Sequence, residues 1–280
     1  MKKPQPIYLA GLLEKLDDLL IELLEGLDER DWNRPTLAPG WKVRDIAAHL
    51  LDGNLRTLSV LRDGYSAKSS GPPLSYMDLV RYLNILNADW IKATKRLSPS
   101  IIKDLLRHSG QQYNAYMASL DPEETAVFSV AWAGETESKN WFHIAREYTE
   151  KWHHQQQIRQ AVDKTGVLML EEYFDPYLDT SVRALPFHYS RISAEAGDLV
   201  KFTFEGANGS EKSWYMFYDD MWELYTEFEG TPCAEVRIKN EFAWRIFSGQ
   251  LDKEIAIKNS TLKGNIRLGI GIFDMLAVMA

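Results

Sequence analysis

The chain has 280 residues, of which 45% are hydrophobic and 26% charged, and this composition is typical of a soluble globular protein. Its length allows two domains, each with a core of its own. The net charge of −8 at pH 7 argues against a protein that binds nucleic-acid backbone through a basic surface. Cys233 is the only cysteine, which excludes an internal disulfide, and no apolar run is long enough to span a membrane. We therefore expect a cytoplasmic protein.

The first part of the chain predicts a set of helices. From Tyr8 to Leu27, leucines recur every three or four residues with acidic residues between them, which is typical of an amphipathic helix. Further helices are predicted at about 42–62, 76–96, 100–120 and 138–163, with a chain break at 69–73 and a short extended piece at 126–134. Connections this short favour a helical bundle.

The second part of the chain predicts a mixture of strands and helices. Alternating apolar and polar residues indicate strands at 199–204, 214–218 and 234–238, and 255–257 is a further candidate. Helices are predicted at 175–184, ending before Pro186, and at 242–248 and 270–279. The predicted fold class is α+β, with domains at 1–165 and 166–280.

The long helix predicted at 138–163 carries a possible pair of metal ligands. Glu150 and His154 are four residues apart, so their side chains lie on one face of the helix. His49 lies at the edge of the apolar stripe of the helix predicted at 42–62. Because helix axes in a bundle are about 8–10 Å apart, His49 could meet the pair at one ion. A set of two histidines and one glutamate suits Zn²⁺ or a related divalent cation and leaves a position open.

The same pattern also fits a helix without a metal. The aromatic stripe of Trp141, Tyr148 and Trp152 could face the core, which would leave the stripe of Glu150 and His154 in water. His153 points about a quarter-turn away from His154, so we expect it to be exposed or to support a ligand rather than to bind the ion.

Two segments resemble a known family. Residues 39–50, which read Pro-Gly-Trp-Lys-Val-Arg-Asp-Ile-Ala-Ala-His-Leu, resemble the second-helix signature of the DinB-like superfamily. More narrowly, they are similar to the metal-binding N-terminal domain of mycothiol-dependent maleylpyruvate isomerases. Residues 132–134 and 150–158 resemble the later motif of that family, and the second half of the chain, which closes in 275–279, loosely resembles a sterol-carrier-like domain.

The resemblance implies a four-helix bundle that holds a divalent metal ion, usually zinc, through His49, Glu150 and His154. It also implies a chemistry in which the metal binds a low-molecular-weight thiol, lowers the pKa of that thiol and presents a thiolate to a small electrophile. The partners would then be a small-molecule substrate and the thiol, and the protein would be a thiol-dependent isomerase or transferase.

The sequence departs from the family pattern at two places. The family often has Asp three residues after the ligand histidine, where this chain has Gln157. Related C-terminal domains often have Gly-Arg after a short helix, where this chain has residues 248–250, Ser-Gly-Gln. A cationic group at that position would bind an acidic substrate, and nothing in the sequence beyond their charge marks Arg245 or Arg267 as its substitute.

Two other functions stay open from the sequence. The protein could be a non-catalytic, homodimeric stress or ligand-binding protein of the same fold, whose second domain holds an apolar molecule. Metal-assisted hydrolysis by bound water is less favoured, because no general base stands apart from the ligand residues.

Overall fold

The computed structural model describes residues 1–65 and 75–278, and the chain forms two compact units. The helical unit comprises residues 8–129 and 137–173. The second unit comprises residues 1–7 and 130–136 together with the chain from residue 174 onward. The assignment of separate domains to 1–165 and 166–280 stays a prediction. No helix in the described ranges combines the length and apolar character that crossing a membrane requires.

The helical unit has the predicted order of helices. Its helices are α1 (Ala10–Glu25), α2 (Glu29–Trp32), α3 (Val43–Thr57), α4 (Tyr76–Thr94), α5 (Pro99–Ser119) and α6 (Asn140–Ala161). A π-helical turn, Leu58–Arg62, continues α3. The five long helices agree with the prediction to within a few residues, because each has a regular apolar stripe and a clear start or stop. The chain break expected at 69–73 lies outside the described residues.

Four of these helices, α1, α3, α5 and α6, form the bundle. Helix α1 packs on α5 and α6, α3 packs on the same two helices, and α4 packs on α3. The core holds leucine and isoleucine side chains from every bundle helix, among them Leu20, Leu24, Ile46, Leu51, Ile102 and Ile158. Burying one such side chain fully contributes about 1.5–3 kcal/mol to the free energy of folding. The bundle is therefore stabilised mainly by the packing of the apolar faces of its helices against one another.

The second unit is built on one sheet of five strands, β1 (Leu199–Glu205), β2 (Glu211–Tyr218), β3 (Trp222–Tyr225), β4 (Ala234–Lys239) and β5 (Thr261–Gly264). Their order across the sheet is β3-β2-β1-β4-β5, and only the central β1–β4 pair is parallel. The strands β3 and β5 are absent from the prediction because four residues are too few to establish an alternating pattern. The predicted α+β class is confirmed.

The helices after the bundle are α7 (Glu171–Ser181), α8 (Leu185–Tyr189), α9 (Asn240–Phe247), α10 (Lys253–Lys258) and α11 (Ile266–Gly269). The helix predicted at 242–248 is confirmed as α9. The helix predicted at 175–184 is α7 followed by a 3₁₀ turn at Val182–Ala184. Pro186 does not end a helix but lies in the first turn of α8, where its missing N–H costs nothing.

Three predicted elements are wrong. Residues 255–257 lie in α10 and not in a strand, because the Asp252 side chain accepts the Glu254 and Ile255 N–H groups and starts a helix there. Residues 126–134 are not extended but contain a 3₁₀ turn, Ala131–Ala133, that ends at Gly134 in the left-handed region. The closing helix predicted at 270–279 is only a 3₁₀ turn, Ile270–Asp274, and its last position, 279, lies outside the described residues.

Candidate metal centre

Helix α3 presents His49 after a tight turn. Gly40 has a φ of +77°, a conformation that glycine adopts without strain. The Lys42 N–H then donates to Asp45 Oδ2 at 3.0 Å, which satisfies one of the free donors at the start of the helix. The Trp41 indole lies beside the histidine, with 5.1 Å between the Trp41 and His49 ring centroids. The residues of the Pro-Gly-Trp segment thus start α3 and cover one side of His49.

Two contacts hold α4 against α3 near this histidine. The Arg44 guanidinium donates to the Leu97 carbonyl at 3.1 Å, just beyond the end of α4. The Trp90 indole N–H donates to the carbonyl of Ala48 at 2.7 Å. Because Ala48 immediately precedes His49, this bond fixes the backbone from which the histidine projects.

Helix α6 brings a carboxylate and two imidazoles together. Glu150, His153 and His154 each offer a ligand atom, and these atoms all lie within 4.8 Å of one another. His154 Nε2 is 3.7 Å from Glu150 Oε2. The stripe does not face water, since the side chains of His154 and Glu150 are only 13% and 22% exposed. The metal-free interpretation with a solvated stripe is therefore wrong about where these groups lie.

His49, on the neighbouring helix α3, lies beside His154, but it is not one of the three residues whose ligand atoms all lie within 4.8 Å of one another. Its ring centroid is 4.5 Å from that of His154, and the two rings are nearly perpendicular. His49 Nδ1 is buried and has no hydrogen-bond partner among the residues that the structure describes. Buried polar atoms usually have such a partner. A divalent cation beside the Glu150 carboxylate would supply one, so this donor set fits a metal ion.

Hydrogen bonds fix which nitrogen of His153 and of His154 can bind an ion. His154 Nδ1 lies 2.8 Å from Gln157 Oε1, and His153 Nδ1 lies 3.0 Å from the Thr149 carbonyl oxygen. A carbonyl oxygen can only accept, so both Nδ1 atoms carry the hydrogen. This leaves the Nε2 lone pairs of both rings free for a cation, the pattern usual for metal-binding histidines.

All three histidines are held neutral at pH 7. Burial is the largest cause in each case and lowers the pKa of His153 to about 4. Burial, His154 and the charge of Arg56 together hold the pKa of His49 well below its usual range. Burial and the neighbouring His153 do the same for the pKa of His154. Neutral imidazoles are the form that binds metal, so the site is prepared for a cation without having to release a proton.

One of the two expectations for His153, an exposed side chain, is wrong, whereas the other, that it supports a ligand, stays a prediction. The residue is 4% exposed and joins the cluster. The prediction compared His153 only with its neighbour His154. Its spacing from Glu150 is i, i+3, which places the two side chains on one face and would have identified it.

A buried polar network occupies another face of α6. Tyr113 Oη donates to Glu147 Oε2 at 2.8 Å, and Arg146 forms an ion pair with the same carboxylate. Lys151 Nζ lies 2.8 Å from Asp17 Oδ1 on α1. These contacts hold α6 to α1 and α5, and therefore fix the rotation of the helix that presents the Glu150 cluster.

Comparison with known proteins places the helical unit in a family. Residues 13–159 match the family described as Mycothiol maleylpyruvate isomerase N-terminal domain. That range is more than half of the 280-residue chain. The chain belongs to this family. No curated protein matches the chain at a significant level.

Solved structures show similarity at low identity. The crystal structure of the mycothiol-dependent maleylpyruvate isomerase is 12% identical, with a TM-score of 0.48, over 86% of this chain and 90% of that one. A histidine-to-alanine mutant of the isomerase is 13% identical, with a TM-score of 0.48, over 91% and 92% of the two chains. The apo form of sterol carrier protein 2 from Yarrowia lipolytica is 14% identical, with a TM-score of 0.25, over 29% of this chain and 70% of that one.

This member of the mycothiol maleylpyruvate isomerase N-terminal domain family differs from the expected pattern at Gln157. The amide oxygen of Gln157 lies where the family resemblance implies an aspartate carboxylate, and it accepts from His154 Nδ1. Orientation of the imidazole is therefore retained, whereas the negative charge that would raise its basicity is absent. In the second unit, Arg267 donates to the Ser193 carbonyl at 2.6 Å, and Arg245 Nε is buried without a partner among the described residues.

Proposed function

We propose that this protein binds a divalent metal ion, with zinc as the expected ion, through His49, Glu150 and His154. We propose further that it is a thiol-dependent isomerase or transferase that acts on a small electrophile. The observation that carries the proposal is the buried, unpartnered Nδ1 of His49 beside the Glu150 and His154 pair, in a chain of this family. Two nitrogen donors and one oxygen donor suit Zn²⁺.

The proposed ligands and two residues beside them each have a part in this chemistry. When bound, the metal would lower the pKa of a coordinated thiol and so supply a thiolate at neutral pH. Glu150 contributes one negative charge, and the two histidines are neutral, so the loaded site keeps a net positive charge that attracts a thiolate. Gln157 holds the His154 ring in the tautomer whose Nε2 is free. Trp41 packs beside the His49 ring.

The thiol has to come from a separate molecule. Cys233 lies in the second unit, where its Sγ is 3.4 Å from Asp198 Oδ1. Burial raises the pKa of the Cys233 thiol, which makes it a poor nucleophile at neutral pH. Mycothiol is the first thiol to test because of the family to which the chain belongs.

The ligand assignment is tested by metal content. Purified wild-type protein, His49→Ala and His154→Ala are compared by elemental analysis, with His108→Ala as a control because His108 is exposed on α5. We expect one bound ion in the wild type and the control, and strongly reduced metal in the other two. Full metal occupancy in both His49→Ala and His154→Ala would sink the assignment.

The activity is tested with the metal-loaded enzyme. Mycothiol, glutathione and bacillithiol are each combined with maleylpyruvate and other small electrophiles, and product formation is followed by chromatography. We expect turnover with one thiol, lost in His49→Ala and retained in His108→Ala. Turnover without any thiol would contradict the thiol-dependent mechanism.

A cavity in the second unit favours a second candidate function, the binding of an apolar ligand. In the alternative drawn from the sequence, such a protein would be non-catalytic and homodimeric. The cavity measures about 750 Å³, and its lining includes the apolar side chains of Phe187, Ile192 and Met221 together with the charged side chains of Arg191 and Asp220. Apolar and aromatic linings are typical of small-molecule sites. Tight binding of a fatty acid without turnover of any thiol and electrophile pair would support this candidate. Sedimentation of the purified protein as a monomer would contradict the dimer.

A further inference from the structure

The proposed ligand set leaves the buried histidine at the centre of α6 without a function. His153 is 4% exposed, and its ring centroid is 3.9 Å from that of His154. His153 therefore lies against His154, one of the two histidines that we propose as metal ligands.

Helix geometry directs this side chain toward the same ion. Residues at i, i+3 and i+4 share one face of an α-helix, and Glu150, His153 and His154 have this spacing. The two imidazoles therefore flank the carboxylate one turn further along α6. Their ligand atoms lie within 4.8 Å of the Glu150 carboxylate and of each other.

The hydrogen bonding of His153 is that of a metal ligand. The Thr149 carbonyl accepts from its Nδ1–H at 3.0 Å, which fixes the tautomer and leaves the lone pair on Nε2. Histidines that bind metals almost always donate their other N–H to a carbonyl, carboxylate or water. His154 has the same arrangement through Gln157. The two neighbouring rings are thus prepared in the same way.

We propose that His153 Nε2 is a further ligand of the metal ion, so that the ion receives three imidazole nitrogens and one carboxylate oxygen from the protein. The inference rests on the proposed metal-binding function and refines it. With His49, Glu150 and His154 alone, a four-coordinate ion keeps one position for an incoming thiol. With His153 added, the protein fills four positions, and a thiol sulfur is a fifth donor. Zinc can accept five ligands, so this arrangement would be compatible with the proposed thiol chemistry.

The competing interpretation makes His153 a core residue that fills space beside His154. Both interpretations explain its burial, but only the ligand role requires the Nε2 lone pair. The variant His153→Phe separates them, because it keeps a ring of similar size and removes both nitrogens. The matched control is His143→Phe, since His143 is also on α6 and is 2% exposed, but it contacts Arg146 and is not part of the cluster.

The experiment measures metal affinity and coordination without reference to activity. Apo protein is titrated with Zn²⁺ against a chromogenic chelator, and the visible absorption of the Co²⁺-loaded protein is recorded. We expect His153→Phe to weaken Zn²⁺ binding by at least about ten-fold, because losing a group that only supports a ligand already weakens binding by about that much. The Co²⁺ absorption bands should also change. His143→Phe should keep the wild-type affinity and spectrum. Circular dichroism establishes that each variant is folded, and His153→Gln replaces His153→Phe if the latter does not fold.

The outcomes separate this inference from the function on which it rests. Wild-type affinity and an unchanged Co²⁺ spectrum in His153→Phe, together with loss of metal in His154→Ala, would overturn the role of His153 and leave the three-ligand site in place. Wild-type protein that binds neither ion would overturn both. Weaker binding in His153→Phe with altered Co²⁺ bands, and none of this in His143→Phe, supports the fourth ligand.

Discussion

The buried ion pair between α1 and α6 makes a quantitative prediction about stability. Lys151 Nζ lies 2.8 Å and 2.9 Å from the two carboxylate oxygens of Asp17, and the two side chains are only 9% and 16% exposed. Asn114 Nδ2 also donates to Asp17 at 3.0 Å, and Lys151 Nζ is 4.2 Å from the centroid of the Tyr113 ring. The variant Lys151→Met therefore leaves a buried carboxylate with one amide donor and no cation.

The expected cost follows from this burial. Removing one partner of a buried pair destabilises a protein by about 3–5 kcal/mol, because the remaining charge is uncompensated. In a domain of this size each kcal/mol lowers Tm by about 2–4 °C, so Lys151→Met should lower the melting temperature of the helical unit by about 6–20 °C. Replacing both residues, as Asp17→Asn with Lys151→Met, removes both charges and should recover a large part of this loss.

Thermal unfolding followed by circular dichroism at the helical band measures these effects. A matched control is Lys15→Met, also a lysine paired with a carboxylate: Lys15 Nζ lies 2.7 Å from Glu172 Oε1, but the side chains are 59% and 51% exposed. Exposed pairs contribute little, so this variant should melt with the wild type. Equal melting temperatures for Lys151→Met and Lys15→Met would refute the reasoning, as would a double variant no more stable than Lys151→Met.

Three further predictions concern the site and the second unit. Gln157→Leu removes the acceptor for His154 Nδ1 and should weaken metal binding by about 10–100-fold in a competition titration, whereas the acceptor-retaining Gln157→Glu should not. Gly264→Ala should lower the denaturant midpoint of unfolding more than Gly197→Ala does. Both glycines have a positive φ, but only a Cβ at position 264 would lie against a neighbouring carbonyl oxygen. Equal midpoints for the two variants would contradict this. Burial raises the pKa of the Cys233 thiol, so its alkylation rate should rise with pH at a higher midpoint than that of free cysteine. A midpoint at or below that of free cysteine would contradict the burial argument.

The helices of the bundle were predictable because their signals are local. The repeating leucines of α1 and the Ser98-Pro99 start of α5 depend only on residues near one another in the chain. The segment 255–257 shows where such signals fail. Its isoleucines have the residue type of a strand, but the Asp252 cap favours a helix, and propensity is the weaker of the two effects.

Part of the candidate metal site was likewise predictable from local sequence, and part was not. The spacing of Glu150 and His154 places both on one face of α6, since side-chain direction follows from the helix period alone. The resemblance of residues 39–50 to a family motif selected His49, which no spacing within α6 could identify. Tertiary structure decided that the Glu150 face is covered, that His153 is buried in it, and that Gln157 orients His154. The reason is physical: which face of a helix is covered depends on neighbours distant in the sequence, and so do the pKa values that keep the histidines neutral.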